Sequence, residues 1–158
     1  MENYNNKLCI VTGGAGLIGS YLVDLLVSLG ACVTVVDDLS KGRLENLKQV
    51  NNEIKFIRAN LENFNEAENS INKCDYFFHL ASRAYGVGYS VNNNIQVLTH
   101  NEKITNNLIN ILSKKTPKKV TILSSSCVYS DDIKELINED TPLTGEPEKA
   151  NIGYGLAK

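Results

Sequence analysis

The chain has 158 residues, about one domain's length, of which 42% are hydrophobic and 22% charged. These values exclude a disordered tail, a collagen-like fibre and a disulfide-stapled mini-protein. The net charge of −2 provides no basic field to recruit nucleic acid or an acidic membrane, and no apolar run reaches the roughly 20 residues of a membrane helix.

Met1 to Lys7 is polar and Asn-rich, with no basic region ahead of a long apolar stretch, so it does not read as a signal peptide. The first apolar run, residues 8–11, reads as a buried strand. Residues 17–29 follow as a helix, with Leu22, Leu25, Leu26 and Leu29 expected on one face and Gly30 as the stop. Strands are expected at 31–36, 54–57, 76–80 and 119–123. A long helix is expected over 95–112, with Leu98, Thr105, Leu108, Ile109 and Leu112 at helical spacing and Pro117 beyond its end. Residues 130–151 carry Pro142, Gly145 and Pro147 and read as a loop. The 20 asparagines are scattered and form no repeat. Apolar strands alternating with helical crossovers predict an α/β fold, a doubly wound parallel sheet with helices on both faces.

Cys9, Cys32, Cys74 and Cys127 show no C-x-x-C spacing, and His79 and His100 are isolated, so no metal site is expected. The first three cysteines lie in apolar runs and are expected to act as small buried hydrophobes. A reduced, cytoplasmic protein follows from this cysteine usage.

The first strand runs into Thr12-Gly13-Gly14-Ala15-Gly16-Leu17-Ile18-Gly19. It reads as G-x-x-G-x-x-G through Gly13, Gly16 and Gly19, and also as G-x-G-x-x-G from Gly14. Glycines permit a tight turn, close approach of backbone to a pyrophosphate and close helix–strand packing, while the helix N-terminus offers N–H groups to the phosphates. Leu17 and Ile18, between the last two glycines, belong to the same cofactor-binding segment. An acidic pair, Asp37 and Asp38, closes the second strand, with Asp37 18 residues after Gly19. A carboxylate there accepts both ribose hydroxyls of an adenosine and repels a 2′-phosphate, which favours NAD over NADP. Asp37 is preferred over Asp38 for this role. The absence of G-x-x-x-x-G-K-[ST] excludes a P-loop.

The fifth strand leads into Ser124-Ser125-Ser126-Cys127-Val128-Tyr129, and Tyr154-Gly155-Leu156-Ala157-Lys158 forms a Y-x-x-x-K. On a helix, four-residue spacing puts the phenol and the ammonium on one face. A neighbouring ammonium favours a phenolate, which can take a hydroxyl proton while hydride leaves the same carbon.

With these residues in this order, the sequence resembles the extended short-chain dehydrogenases/reductases of the nucleotide-sugar epimerase/dehydratase type. The motifs that carry the likeness are Thr12 to Gly19, Val36-Asp37-Asp38, Arg58-Ala59-Asn60-Leu61, His79-Leu80-Ala81-Ser82, Asn101, Ser124 to Tyr129, and Tyr154 with Lys158. The resemblance implies a Rossmann-type fold with bound NAD. It implies that Asn60, where the family usually has Asp, and Leu61 flank the adenine, and that Leu80, Ala81 and Ser82 run beside the cofactor's ribose and phosphates. It places Asn101 near the cofactor and Tyr154 and Lys158 on its nicotinamide side, with Lys158 holding the ribose. It also selects Ser125, three residues before the Val-Tyr pair, as the catalytic hydroxyl. Arg83 is either a ligand of a substrate phosphate or a plain surface arginine.

The 4,6-dehydratases of the family carry Asp-Glu where Ser126 and Cys127 stand, so water elimination lacks an agent here. Ser-x-Cys is similar to the GDP-mannose 3,5-epimerase and GDP-fucose synthase branch, where the cysteine is an acid/base beside a transient ketone. The expected function is an NAD-dependent nucleotide-sugar epimerase, with Ser125, Cys127, Tyr154 and Lys158 catalytic. The alternatives are an NADP-dependent nucleotide-sugar reductase and a non-catalytic NAD-binding regulatory module; Cys127 as a packing residue also stays open. A nucleotide sugar is the expected partner, with no nucleic acid or membrane. A homodimer of the family's kind is expected only of a full-length protein. The chain ends on Lys158, in the first turn of the Tyr154 helix. Residues 1–158 are therefore expected to be the NAD-binding part of a longer enzyme, inactive or marginally stable alone, with the substrate domain following residue 158.

Overall fold

The computed structural model describes residues 3–158; Met1 and Glu2, the start of the polar N-terminal segment, lie outside the described residues. The elements in chain order are β1 (Leu8–Thr12), α1 (Leu17–Ser28), β2 (Cys32–Asp37), β3 (Lys55–Arg58), α2 (Phe64–Ser70), β4 (Tyr76–His79), α3 (Val87–Lys115), β5 (Lys119–Ile122) and α4 (Ile152–Leu156). The chain divides into two compact units. Met1–Ser82 with Ile104–Leu123 makes one, and Arg83–Lys103 with Ser124–Lys158 the other. α3 contributes to both.

The first unit is a five-stranded sheet in the order β3-β2-β1-β4-β5, and every pairing is parallel. From β1 the chain winds outward to β3, then returns to lay β4 on the other side of β1. That reversal puts the topological switch point at the carboxyl ends of β1 and β4, where open α/β sheets bind their ligands.

Successive strand residues point to opposite faces, and both faces are apolar. Cys9, Val11, Val33, Val35 and Phe78 enter one core with Val23 and Leu26 of α1. Ile10, Val36 and Phe77 enter the other with Ala67 and Ile71 of the α2 region and Ile104, Leu108 and Ile111 of α3. Phe77 is fully buried, and its truncation to alanine would cost about 3–5 kcal/mol.

The helices differ from the expected pattern in detail. On α1 the buried stripe is Gly19, Ser20, Val23 and Leu26, whereas Leu25 and Leu29 are exposed. Small residues at the start of the helix bring it close to the sheet and so choose the face, overriding the count of leucines. On α3 the buried set is Ser90, Val97, Asn101, Ile104, Leu108 and Ile111, and Ile109 is exposed. The helix also starts eight residues earlier than 95, at Val87, and is kinked at Asn93 (φ −134°, ψ 29°). α2 is an element that periodicity did not reveal. Its cap is legible in hindsight, since the Asn63 side chain accepts the N–H groups of Asn65 and Glu66. β5, an edge strand, is exposed at all four positions, with Ile122 59% exposed, so the expectation of a doubly buried strand fails there.

Among the cysteines, Cys9 and Cys74 are buried as expected, but Cys32 is exposed and Cys127 half-buried. Cys32 opens β2 at the rim of the sheet, so its apolar neighbours do not cover it. Burial pushes the Cys9 and Cys74 thiols from the ordinary 9.0 up to about 11. The folded state thus keeps two protons that the unfolded chain releases above pH 9.0. Stability contributed by these thiols is intact below that pH and lost as pH rises toward about 11. Urea denaturation across this window should show falling stability, with the slope reduced in a Cys9→Val, Cys74→Val variant. An equal slope in the variant would refute this.

Candidate functional site

The switch point of the first unit is built from glycine. Gly13 leaves β1 at φ +72°, and a Cβ there would lie 2.6 Å from the backbone nitrogen of Ala81. A Cβ at Gly19 would lie 2.1 Å from the Gly13 carbonyl oxygen. Gly16 N–H donates to that carbonyl at 3.1 Å, where a Cβ at Gly16 would stand 3.2 Å away. Gly16 is also the N-cap of α1, with no side-chain cap and no acidic residue in the first turn. The helix therefore presents its positive end with no acidic side chain of its own first turn against it. Leu17 and Ile18 are exposed beside it.

Asp37, 8% exposed, is wired into this turn. One carboxylate oxygen accepts the Ala15 N–H at 3.1 Å and the other the Leu39 N–H at 2.9 Å. Asp38 Oδ1 accepts the Ser40 N–H at 2.9 Å. Asn60 closes a local turn, its Oδ1 accepting Glu62 N–H at 3.0 Å while its N–H donates to Glu66 Oε2 at 2.8 Å. Leu61 is buried in the second core, and its carbonyl accepts Asn107 Nδ2 at 2.9 Å. Leu80, Ala81 and Ser82 are half-buried; Leu80 N–H donates to the Thr12 carbonyl at 3.0 Å. Thr12 and His79, buried neighbours at the ends of β1 and β4, are hydrogen-bonded at 2.7 Å (Oγ1 to Nδ1). That bond joins the two strands from which the turn and residues 80–82 depart, a role the isolated histidine did not suggest.

The second unit gathers the serine run and the tyrosine. After β5 the chain makes a short 3-10 turn over Ser126–Val128, capped by Ser125, whose Oγ accepts the Cys127 N–H at 3.2 Å. Residues 130–148 then form most of the loop expected over 130–151, whose last three residues, Lys149–Asn151, are a 3-10 turn. It is closed where Glu148 N–H donates to the Cys127 carbonyl at 3.2 Å and Lys149 N–H to Asp131 Oδ2 at 3.0 Å. α4 follows and packs on the Ser126–Val128 turn. Two glycines make that approach possible: a Cβ at Gly155 would lie 2.4 Å from the Cys127 carbonyl, and one at Gly153 2.0 Å from the Asn94 carbonyl. Gly153 N–H donates to Asn94 Oδ1 at 3.0 Å. Tyr154 is thus held between two close backbone approaches, one to the kinked part of α3 and one to the cysteine turn. The Gly-Tyr-Gly run was the sequence signal for this.

Lys158 Nζ lies 5.5 Å from the Tyr154 ring centroid, within cation–π range. Burial holds the Lys158 ammonium below the usual lysine range. Asn101 is buried. Its amide accepts the Arg83 N–H at 2.8 Å and donates to the Arg83 carbonyl at 3.2 Å and to the Val97 carbonyl at 2.8 Å. Its side chain therefore fixes the backbone at Arg83. Glu148, which sequence reading passed over, emerges beside Cys127. Among the described residues no group of three His, Cys, Asp or Glu could hold a metal ion, and no helix is long and apolar enough to cross a membrane.

A parallel doubly wound sheet with a glycine turn at its switch point defines a Rossmann-type fold, as the motifs implied. The chain belongs to the NAD dependent epimerase/dehydratase family, whose model matches residues 9–158. It is 32% identical over 96% of its length to a UDP-N-acetyl-alpha-D-glucosaminuronate decarboxylase of Bacillus cytotoxicus, 47% of which it covers. It is 31% identical over its whole length to a UDP-glucose 4-epimerase of Dictyostelium discoideum, 46% of which it covers. The crystal structure of UDP-glucose 4-epimerase from Bifidobacterium longum, in complex with NAD+ and UDP, superposes with a TM-score of 0.81. Identity is 28%, over 95% of this chain and 46% of that one. The chain spans about half the length of the curated relatives it matches.

Proposed function

We propose that residues 1–158 are the cofactor-binding part of an NAD-retaining nucleotide-sugar epimerase, with a substrate domain supplied by further chain. The observation that carries this reading is the packing of α4, with Tyr154 and Lys158, on the turn that holds Ser125 and Cys127.

The first unit fits the cofactor. Gly13 and Gly19 let the turn, the Leu80–Ala81 backbone and the start of α1 approach one another more closely than any Cβ allows, the start of α1 is uncapped, and the buried Asp37 carboxylate is braced beside the turn. There the pyrophosphate would meet the N–H groups of Leu17 and Ile18, and Asp37 the adenosine ribose, its charge disfavouring a 2′-phosphate. Bound NAD supplies a nicotinamide that takes a hydride from a sugar carbon and returns it.

The second unit supplies the proton chemistry. The Ser125 hydroxyl holds the reacting sugar oxygen, and the Tyr154 phenol oxygen takes its proton. Lys158, whose Nζ lies 5.5 Å from the Tyr154 ring centroid, would hold the nicotinamide ribose beside that phenol. The Cys127 thiol stands beside them as a proton carrier, the feature shared with the GDP-sugar branch. The Bacillus cytotoxicus relative supports a second reading, decarboxylation of a nucleotide-linked uronic acid, which begins with the same oxidation.

The full-length protein should release NAD on acid denaturation and show a transient nicotinamide absorbance on addition of UDP-glucose, UDP-galactose or GDP-mannose, with the epimer seen by NMR. Release of CO2 from UDP-glucuronate would favour the second reading. Absence of retained NAD and of any nicotinamide signal would reject both.

A further inference from the structure

α4 is five residues long, Ile152–Leu156, well short of the roughly 12–15 residues a helix needs to hold itself in water. Its direction, and with it that of the Tyr154 phenol, is therefore set from outside. Asn151 stands at the N-cap but makes no side-chain cap bond. Its amide donates instead to Glu148 Oε2 at 3.1 Å. The N–H of Gly153, the second residue of the helix, has no partner within the helix. It donates to Asn94 Oδ1 at 3.0 Å, from 59 residues away in sequence. The cap of the tyrosine's helix is thus supplied by α3. The backbones meet at the same place: a Cβ on Gly153 would lie 2.0 Å from the Asn94 carbonyl oxygen, 2.7 Å from its carbon and 3.0 Å from its Cα. Asn94 follows directly on the kink of α3 at Asn93 (φ −134°, ψ 29°). That kink is itself bonded, with Asn93 Nδ2 donating to the Tyr89 carbonyl at 2.9 Å and Tyr89 Oη donating across it to Gln96 Oε1 at 2.9 Å.

We propose that Asn94 is a positioning residue for Tyr154: from the kink of α3 its side-chain oxygen caps α4 and aims the phenol at the sugar hydroxyl. The proposal rests on the reading of Tyr154 as the proton acceptor. On the other side of the tyrosine, Gly155 meets the Cys127 carbonyl so closely that a Cβ would come within 2.4 Å. Cys127 is in turn bonded through its N–H to Ser125 Oγ at 3.2 Å. The two neighbours of Tyr154 are therefore both gripped, Gly153 by the Asn94 hydrogen bond and Gly155 by packing on the turn that carries Ser125. Loss of the Asn94 oxygen leaves a short, uncapped helix free to tilt about Gly155. A reacting group misplaced by about 1 Å loses about 10²-fold in rate.

The test uses the full-length protein loaded with NAD, with UDP-glucose, UDP-galactose or GDP-mannose as the sugar. Asn94→Ala removes the acceptor and should lower kcat about 10²-fold, with KM for the sugar and NAD content unchanged. Asn94→Asp keeps an oxygen in place, since aspartate and asparagine cap about equally well, and should return most of the rate. A cap that served only the fold would lower the thermal midpoint without this split between kcat and KM. Parental kcat in Asn94→Ala overturns the assignment, as does a loss that Asn94→Asp shares in full or that comes with loss of NAD. Amide hydrogen exchange at Gly153, resolved by NMR, reads the contact without turnover. The amide should be protected in the parent and in Asn94→Asp, and released in Asn94→Ala. If Asn94→Ala does not fold, the parent decides, because a Gly153 amide that exchanges there as fast as an open one overturns the assignment. A parent without hydride transfer whose Gly153 amide is protected, and released in Asn94→Ala, faults the functional reading alone. Undiminished hydride transfer in Asn94→Ala with that amide released faults Asn94 alone.

Discussion

Tyr154→Phe in the full-length protein should lower turnover by about 10²–10⁴-fold and leave NAD retention unchanged. That range is the usual contribution of a positioned acid–base group. The substitution removes one hydroxyl and nothing else. The ring stays beside Lys158 Nζ, 5.5 Å from its centroid. α4 stays seated because its seating is done by backbone, through Gly153 N–H on Asn94 Oδ1 at 3.0 Å and the close approach of Gly155 to the Cys127 carbonyl. Single-turnover nicotinamide absorbance and the NAD content of the denatured protein separate chemistry from binding. Wild-type turnover in Tyr154→Phe would remove the proposed base, and a folded variant that binds NAD but never transferred hydride even as wild type would mark a binding module.

The second large effect belongs to Gly19→Ala. Its Cβ would have to occupy space 2.1 Å from the Gly13 oxygen, 2.8 Å from Gly14 Cα and 2.9 Å from the Gly13 carbonyl carbon. All three atoms are backbone, so no side-chain rotation relieves the clash. Either α1 slides away from the sheet or the turn opens. Overpacking of this kind costs about 1–3 kcal/mol. The displaced turn would also break the Ala15–Asp37 hydrogen bond of 3.1 Å, so the phosphate cradle and the ribose carboxylate would be lost together. NAD should be absent from the purified variant, and its thermal midpoint should fall. Gly88→Ala is the matched control: nothing lies within 4 Å of a Cβ there, and alanine inside a helix gains about 0.5–1 kcal/mol over glycine. Retained NAD in Gly19→Ala would show that the turn tolerates a shift the geometry forbids.

Much of the first unit was legible because its constraints are local. β1, β2 and β4 are short apolar runs, and a turn that must run backbone against backbone leaves glycines at fixed spacing. What escaped was set by tertiary fit. α1 has leucines on a plausible face, yet Gly19 and Ser20 decide which face meets the sheet. The start of α3 is hidden by the polar run Asn92-Asn93-Asn94, where the helix bends and lends Asn94 to Gly153. α2 carries too few apolar residues to show a period. Within the site, Ser125, Cys127, Tyr154 and Lys158 were marked by motif, and the structure gathers them in the second unit. Glu148 had no mark, because its bond to Cys127 spans 21 residues of loop and no spacing rule predicts it.

The closure of residues 130–148 has a consequence for how this chain can vary. The excursion is pinned at its base by Lys149 N–H on Asp131 Oδ2 and Glu148 N–H on the Cys127 carbonyl. Its far side is solvent, with Leu136 99% exposed. Doubling the length of a flexible loop costs only about 0.6 kcal/mol in closure entropy. Evolution can therefore lengthen or rewrite the tip while the serine and the tyrosine keep their register, and an experimenter can place a fluorophore or an affinity tag there on the same terms.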